Sequence, residues 1–263
     1  MPQTYLENLH HFLHFLTAYI HSVLALRSLY SRTSFLTTRF HNTPIFQSRH
    51  PAVCNWINDA VTAVRNELLN GSVARLAIVI YHIQGERQAK AMERYMLDVS
   101  RFPVVSKADR EMEIEFFPES EPHPSENGKG KAKVLDADVE SDLSEQFRAA
   151  LVLLTTRCSQ LKPLPLNCSF NLAIELKAEV DPPIGHPQPW IPVEPSLQKT
   201  GRGTVSSSED GSDKLAIREG SRKEGQDIGG VHTTPIRAVE TGVLQFETWI
   251  EESKAKFENL KSS

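Results

Sequence analysis

The sequence predicts an α+β domain, an antiparallel sheet covered on one face by three helices, with further strands hung on a long C-terminal tether. Three observations predict it. Apolar residues recur at helical spacing in three long segments. Between and after them lie segments that crowd or alternate apolar residues as strands do. Two late segments, one with Trp190 and one with Trp249, are separated by residues Ser196 to Gly230, which are rich in Ser, Gly, Lys, Asp and Glu and hold no aromatic residue. Such a composition buries too little to offset chain entropy. A strand segment on a tether of that kind can dock and detach, because loop closure costs grow slowly with length.

The first helix is predicted over Leu6 to Tyr30, with Leu9, Leu13, Leu16, Ile20 and Val23 on one stripe and Phe12, Phe15, Tyr19 and Leu24 widening it. A helix apolar around most of its circumference belongs at the centre of a domain. Phe35 to Phe46 reads as a connection with a turn at Asn42-Thr43-Pro44. Pro51 suits a first helical position, Val53, Ile57, Val61, Val64 and Leu68 continue the stripe, and Asn70-Gly71 ends it. Val73 to His82 reads as a buried strand and Met92 to Val99 as its hairpin partner. Phe117 to Asp138 carries prolines, glycines and a Lys-Gly-Lys-Ala-Lys run at 129–133, and reads as a loop insertion with a solvated basic stretch.

A third helix is expected from about Val139 to Leu161, stopped by Pro163 and Pro165. Cys168 to Lys177 alternates most clearly: Cys168, Phe170, Leu172, Ile174 and Leu176 share one face. Trp190 to Val193 is a short apolar piece. Val231 to Val239 is another strand segment, with Pro235 on an edge or at a bulge. In Leu244 to Ile250, Leu244, Phe246 and Ile250 face one way and Gln245, Glu247 and Trp249 the other. Glu251 to Ser263 is charged and reads as fraying or a short surface helix.

Composition narrows the function. A net charge of −4 implies no general affinity for nucleic acid. The apolar run Phe12 to Tyr30 carries His14, His21 and Arg27, so it reads as neither signal peptide nor membrane span. Three scattered cysteines, Cys54, Cys158 and Cys168, fit small buried residues in a reducing compartment rather than a disulfide scaffold. Composition does not separate cytosol from nucleus.

No catalytic motif is present: no G-x-S-x-G, P-loop, strand-borne G-x-G-x-x-G or H-E-x-x-H. His10, His14 and His21 share a helix face at spacings that could hold a metal, but only Glu7 recurs beside them, and surface or hydrogen-bonded histidines explain them better. Cys54 and His50 stand at i, i+4 like a nucleophile and base, without an orienting third group. Arg27, Arg32, Arg39 and Arg49 are read as ordinary surface rather than a phosphate site. The expectation is therefore a protein with no catalytic residues, no metal and no cofactor.

Several ordered pieces carry a resemblance. Phe12–Tyr30, Arg49-His50-Pro51 followed by Trp56-Ile57-Asn58-Asp59-Ala60-Val61, Glu145-Gln146-Phe147-Arg148-Ala149, Cys168-Ser169-Phe170, Pro189-Trp190-Ile191 and Trp249-Ile250-Glu251-Glu252 together resemble the HORMA-domain family, the fold of Mad2-type checkpoint proteins. Within it they resemble the branch of noncatalytic accessory subunits of translesion DNA polymerase zeta, in a fungal-looking form. The resemblance implies one HORMA domain over 1–263: a core at 5–115 and 139–178, a mobile safety belt at 179–252, disordered insertions at 117–138 and 196–230, and a charged tail at 253–263.

It further implies a peptide clamp. A peptide of the polymerase zeta catalytic subunit would add to the sheet as a strand and be locked beneath the belt. Trp56 and Trp190 match the family's peptide-gripping aromatics, although either could be core. Thr233, Glu247 and Trp249 match belt positions that face the C-terminal domain of a Rev1-type polymerase; here they replace an apolar residue, an amide and a tyrosine. Arg148 matches an arginine used for HORMA–HORMA contact, in homo- or heterodimers, while Ser28 stands where an acidic answering residue is expected. The implied location is the nucleus, with the cytoplasm as a second compartment, and no direct nucleic-acid or membrane binding. The readings set against this are a checkpoint or meiotic HORMA protein and, from another class, a hydrolase using Cys54 and His50.

Overall fold

The computed structural model describes residues 4–84, 88–112, 114, 136–177, 183, 190–191, 231–241 and 243–259. The insertions expected at 117–138 and 196–230 fall outside these residues, except that 136–138 already belong to a helix.

Helix α1 spans Tyr5–Leu26. The Thr4 hydroxyl accepts from the Glu7 backbone N–H and the Glu7 carboxylate accepts from the Thr4 N–H, a reciprocal cap that fixes its start. Phe12, Phe15, Leu16, Tyr19, Val23 and Leu24 have no exposed surface, so the helix is central, as its apolar girth requires. It stops four residues short of the expected Tyr30. Arg27 caps it and turns its guanidinium inward, and Ser28 takes a left-handed conformation (φ 53°).

The connection read over Phe35 to Phe46 is in fact a hairpin, β1 (Phe35–Phe40) and β2 (Thr43–Ser48). Its two-residue turn, His41 and Asn42, has positive φ at both positions (45° and 59°), the geometry that matches strand twist. Two strands of six residues each, the first half exposed, carry too little apolar alternation to be read from sequence. Helix α2 follows at Pro51–Asn70 and ends on Gly71 at φ 70°. A Cβ there would meet Val104 Cγ2 at 2.7 Å, so glycine is required twice over.

Strands β3 (Val73–Gln84) and β4 (Gln88–Asp98) form an antiparallel pair, longer than expected, with a bulge at Ile80/Tyr81. Helix α3 (Asp136–Gln160) is followed by β5 (Cys168–Leu176), β6 (Val231–Thr241), β7 (Leu244–Ser253) and a short helix α4 (Lys254–Asn259). The main sheet is entirely antiparallel with the order β5-β3-β4-β7-β6. β6 is an edge strand, and its register shifts between Pro235 and Arg237, so Pro235 has both the edge and the bulge that its missing N–H demands.

The core lies between one sheet face and helices α1, α2 and α3. Phe15 stacks on Phe147 of α3 at 4.7 Å, and Phe246 of β7 meets Phe12 edge-on at 5.2 Å. Aromatic pairs of this kind contribute about 1 kcal/mol each beyond area burial. They tie the C-terminal hairpin into the same core as the first helix. Among the described residues no helix is long and apolar enough to cross a membrane.

Candidate functional site

The chain leaves the sheet at β5, on one edge, and re-enters at β6, on the opposite edge. Four strand spacings of roughly 4.8 Å, about 19 Å in all, separate the two strands across the sheet. Within the connection 177–230, Trp190 is partly buried and packs against the main core. Its indole N–H is buried yet has no hydrogen-bond partner, a cost that a ligand acceptor would relieve.

Among the described residues β5 pairs on one side only, with β3. The parity of that pairing can be fixed. The Ile83 N–H donates to the Asn167 carbonyl and the Lys177 N–H to the Ser72 carbonyl, so odd-numbered residues turn their backbone groups to β3. Cys168, Phe170, Leu172, Ile174 and Leu176 therefore present theirs to the outer edge. Trp56, on α2, meets Phe170 edge-to-face at 5.0 Å and is 40% exposed. The structure thus sets Trp56 beside the free edge rather than in the core.

Thr233, Glu247 and Trp249 lie elsewhere, together. In β7 Leu244, Phe246, Thr248 and Ile250 are buried toward the helices, so Glu247, Trp249 and Glu251 point to the other face. Thr233 is directly opposite Glu251 and shares that face. Thr233 and Glu247 are exposed; Trp249 is half-buried against a small patch of Ala77, Val79, Ala91, Met96 and Ala173. The Trp249 Nε1–H donates to Glu251 at 3.0 Å. A ladder of ion pairs runs across the same face: Glu175 of β5 to Arg75 of β3 (3.3 Å) and Arg94 of β4 (3.2 Å), and Arg75 to Asp98 (2.9 Å). Burial opposes ionisation of Asp98, but hydrogen bonds from Ser100 and Arg75 outweigh it and hold its carboxyl below the ordinary value.

The far side of the sheet is fastened by buried charge. Arg27 of α1 grips Glu93 of β4 through two nitrogens, at 2.8 and 2.7 Å. Lys256 of α4, with no exposed surface, reaches the same Glu93 at 2.5 Å and also Glu252 of β7. Tyr95 donates to Glu93 at 2.9 Å, and its phenol is pushed well above its ordinary pKa by burial and by that carboxylate. Of the expected fraying or short surface helix from Glu251, the short helix is present as α4, but the segment is not at the surface throughout. Glu251, Glu252, Ser253 and Lys256 are buried: Glu251, Ser253 and Lys256 find Arg94, the Ala91 carbonyl and Glu93 on β4, and Glu252 pairs with Lys256, contacts that no local pattern reveals.

The remaining candidates disperse. Arg148 stands on the outer side of α3, about half exposed, with Glu145 at 3.7 Å. The His10 and His14 rings lie 4.0 Å apart, and desolvation, with His10 and His11 nearby, lowers the His14 pKa. His21 is drawn inside, where its Nδ1 accepts from the Ser48 N–H at 3.3 Å and burial lowers its pKa. Among the described residues no group of His, Cys, Asp and Glu is arranged for a metal. The Cys54 thiol donates to the Ser48 carbonyl at 3.2 Å, an anchoring contact, so its sulfur is turned to backbone rather than held by His50 as a base. Burial pushes the Cys158 thiol up to about 11. Arg27, read as surface, is a buried ion-pair partner. Asn171, Glu93 and Lys256 do not stand out in the sequence, and Phe170 stands out only as an inward strand residue, since their roles follow from which strand ends on which edge.

A three-helix layer on an antiparallel sheet that ends in a C-terminal hairpin defines an α+β fold. The HORMA domain profile matches residues 10–194, and the chain belongs to that family of noncatalytic adaptors. It is 27% identical over 237 residues to the DNA polymerase zeta processivity subunit of Schizosaccharomyces pombe, covering 90% of this chain and 89% of the relative. The DNA polymerase zeta processivity subunit of Arabidopsis thaliana is 22% identical over 183 residues, 68% of this chain and 69% of that one. Among solved structures, a chain of the mitotic checkpoint complex superposes with a TM-score of 0.58 at 14% identity, covering 93% of this chain and 98% of that chain. C. elegans HTP-2 bound to the HIM-3 closure motif superposes with a TM-score of 0.53 at 10% identity, covering 96% and 93%.

Proposed function

We propose that this chain is the accessory adaptor of a translesion DNA polymerase zeta. It captures a peptide of the catalytic subunit as an added strand on β5, held beneath a belt formed by 179–252, and it works in the nucleus. The observation that carries the reading is the β5 edge: one-sided pairing, with Trp56 standing on Phe170 beside it. Strand addition draws affinity from backbone hydrogen bonds and specificity from alternate side chains. Guest residues opposite Phe170, Leu172 and Ile174 turn toward the helix layer, where Trp56 offers an apolar wall. Trp190 closes over the guest from the crossing connection, its unpaired indole N–H directed to a guest carbonyl.

Thr233, Glu247 and Trp249 form the second surface, for the C-terminal domain of a Rev1-type polymerase. Their common face is separate from the β5 edge, so one chain can hold both partners at once. Arg148, exposed on α3, serves contact with a second HORMA domain. The solved neighbours support the fold alone, whereas the relatives related over most of their length are named as polymerase zeta subunits, which favours this reading over a checkpoint or meiotic one.

The test uses the full chain and overlapping peptides spanning the polymerase zeta catalytic subunit, titrated by fluorescence polarisation. At least one peptide should bind, and Trp190→Ala should weaken it by about 30-fold, an anchor-sized loss of roughly 2 kcal/mol. Absence of any bound peptide, or unchanged affinity in both Trp56→Ala and Trp190→Ala, would overturn the clamp.

A further inference from the structure

At the centre of β5 the outward N–H of Leu172 is already taken. It donates to the side-chain Oδ1 of Asn171 at 2.8 Å. Leu172 is the middle residue of Cys168–Leu176, and its N–H is one that an arriving strand would use. Asn171 itself pairs its backbone with Val79 of β3 and leaves its side chain exposed, free to fold back over the edge. An open edge is a template for pairing with any extended chain, including a second copy of this one.

We propose that Asn171 is a guard on the β5 edge: its carboxamide holds the Leu172 N–H until a guest backbone carbonyl replaces it. The inference rests on β5 being the capture edge and adds what regulates entry there. The guard selects by backbone chemistry. A guest extended through the strand centre supplies a carbonyl in place of Asn171 Oδ1, and the exchange of one hydrogen bond for another is nearly even. A short or bulky contact at either end of β5 leaves the guard in place and gains nothing from the centre. Trp56 and Phe170 then reward the correct guest, while casual strand pairing is resisted.

Two substitutions separate the roles. Asn171→Ala removes the acceptor. Asn171→Asp keeps one and makes it charged, and charged acceptors bind roughly twice as strongly. Backbone amide hydrogen exchange on the free protein needs no ligand. In Asn171→Ala the Leu172 amide should exchange about tenfold faster, with Ala77 and Ile78 in β3 unchanged, and in Asn171→Asp it should be protected at least as well as in the wild type. The tightest-binding peptide of the polymerase zeta array should bind Asn171→Ala about two- to tenfold more tightly and Asn171→Asp more weakly. Sedimentation velocity of the free Asn171→Ala protein should show more self-association. Unchanged Leu172 exchange in Asn171→Ala overturns the guard. So does equal or weaker peptide binding by Asn171→Ala when the wild type binds. If the wild type captures no peptide, the clamp reading fails, and the exchange result alone decides whether Asn171 guards the edge.

Discussion

At one edge of the main sheet, β5 shows its backbone outward with, among the described residues, the Asn171 side chain over its centre and a half-exposed tryptophan beside it. At the other, β7 and β6 are welded on by buried ions, an aromatic cluster and a ten-residue antiparallel register. Both edges come from strands of similar length and similar alternation. What separates them is where charge is buried: around Glu93 and Lys256 it is enclosed and paired, whereas beside β5 the polar groups remain within reach of water. If the clamp proposal holds, this asymmetry assigns the guest strand to the β5 edge, while the β6 edge belongs to a hairpin fixed from within the fold.

The contrast can be broken most strongly at Lys256. Lys256→Ala takes a shared ammonium from buried Glu93 and Glu252, leaving Glu252 beside His232 at 3.6 Å, and breaking a buried pair costs about 3–5 kcal/mol. Denaturant unfolding should show that loss, and amide exchange should place it in β7 and α4 before β3. Glu93→Gln should be of the same order, since it strips Arg27, Tyr95 and Lys256 of a common partner. Next in size, Trp56→Ala should weaken peptide capture by roughly 30-fold while leaving the unfolding midpoint close to wild type, because the side chain is already 40% exposed. Trp249→Ala should do the reverse of Trp56→Ala: binding of a Rev1-type C-terminal domain falls, peptide affinity does not, as measured by parallel titrations.

The smallest expected effect concerns the outer ion ladder. The folded-state pKa of Asp98 lies below its ordinary 3.8, so its stabilising contribution is complete above that value and disappears as pH falls through the lower folded one. The stability difference between wild type and Asp98→Asn, about 1 kcal/mol or less near neutrality for so exposed a pair, should shrink toward zero in acid. A difference that stays constant down to the acid transition would show that the ladder does not depend on this charge.

Much of the layer structure is legible in the sequence. The stripes of α1, α2 and α3 and the alternation of β5 and β7 are local patterns enforced by burial on one side, and Pro51, Gly71 and Pro235 mark their places through backbone chemistry. The β1–β2 hairpin is not legible, because its strands are short, the first is half exposed, and its turn depends on positive φ at His41 and Asn42. The candidate site divides in the same way. Trp56, Trp190 and Trp249 stand out as large aromatics at segment margins, but only the strand order shows that Trp56 flanks an edge and that Thr233, Glu247 and Trp249 share a face. The buried lysine is the hardest to foresee: among Lys254, Lys256 and the glutamates around them, composition says solvent, and a partner about 160 residues earlier says otherwise.

The quartet around Glu93 has one more consequence. Arg27 and Glu93 belong to α1 and β4, whereas Lys256 and Glu252 both ride on the terminal segment. Lifting that segment away would divide the four ions into two couples, each self-neutralised, with no bare charge stranded in a greasy interior on either body. The terminal segment thus carries its own counter-ion, so the electrostatic cost of unseating it would be smaller than that of exposing a lone buried charge.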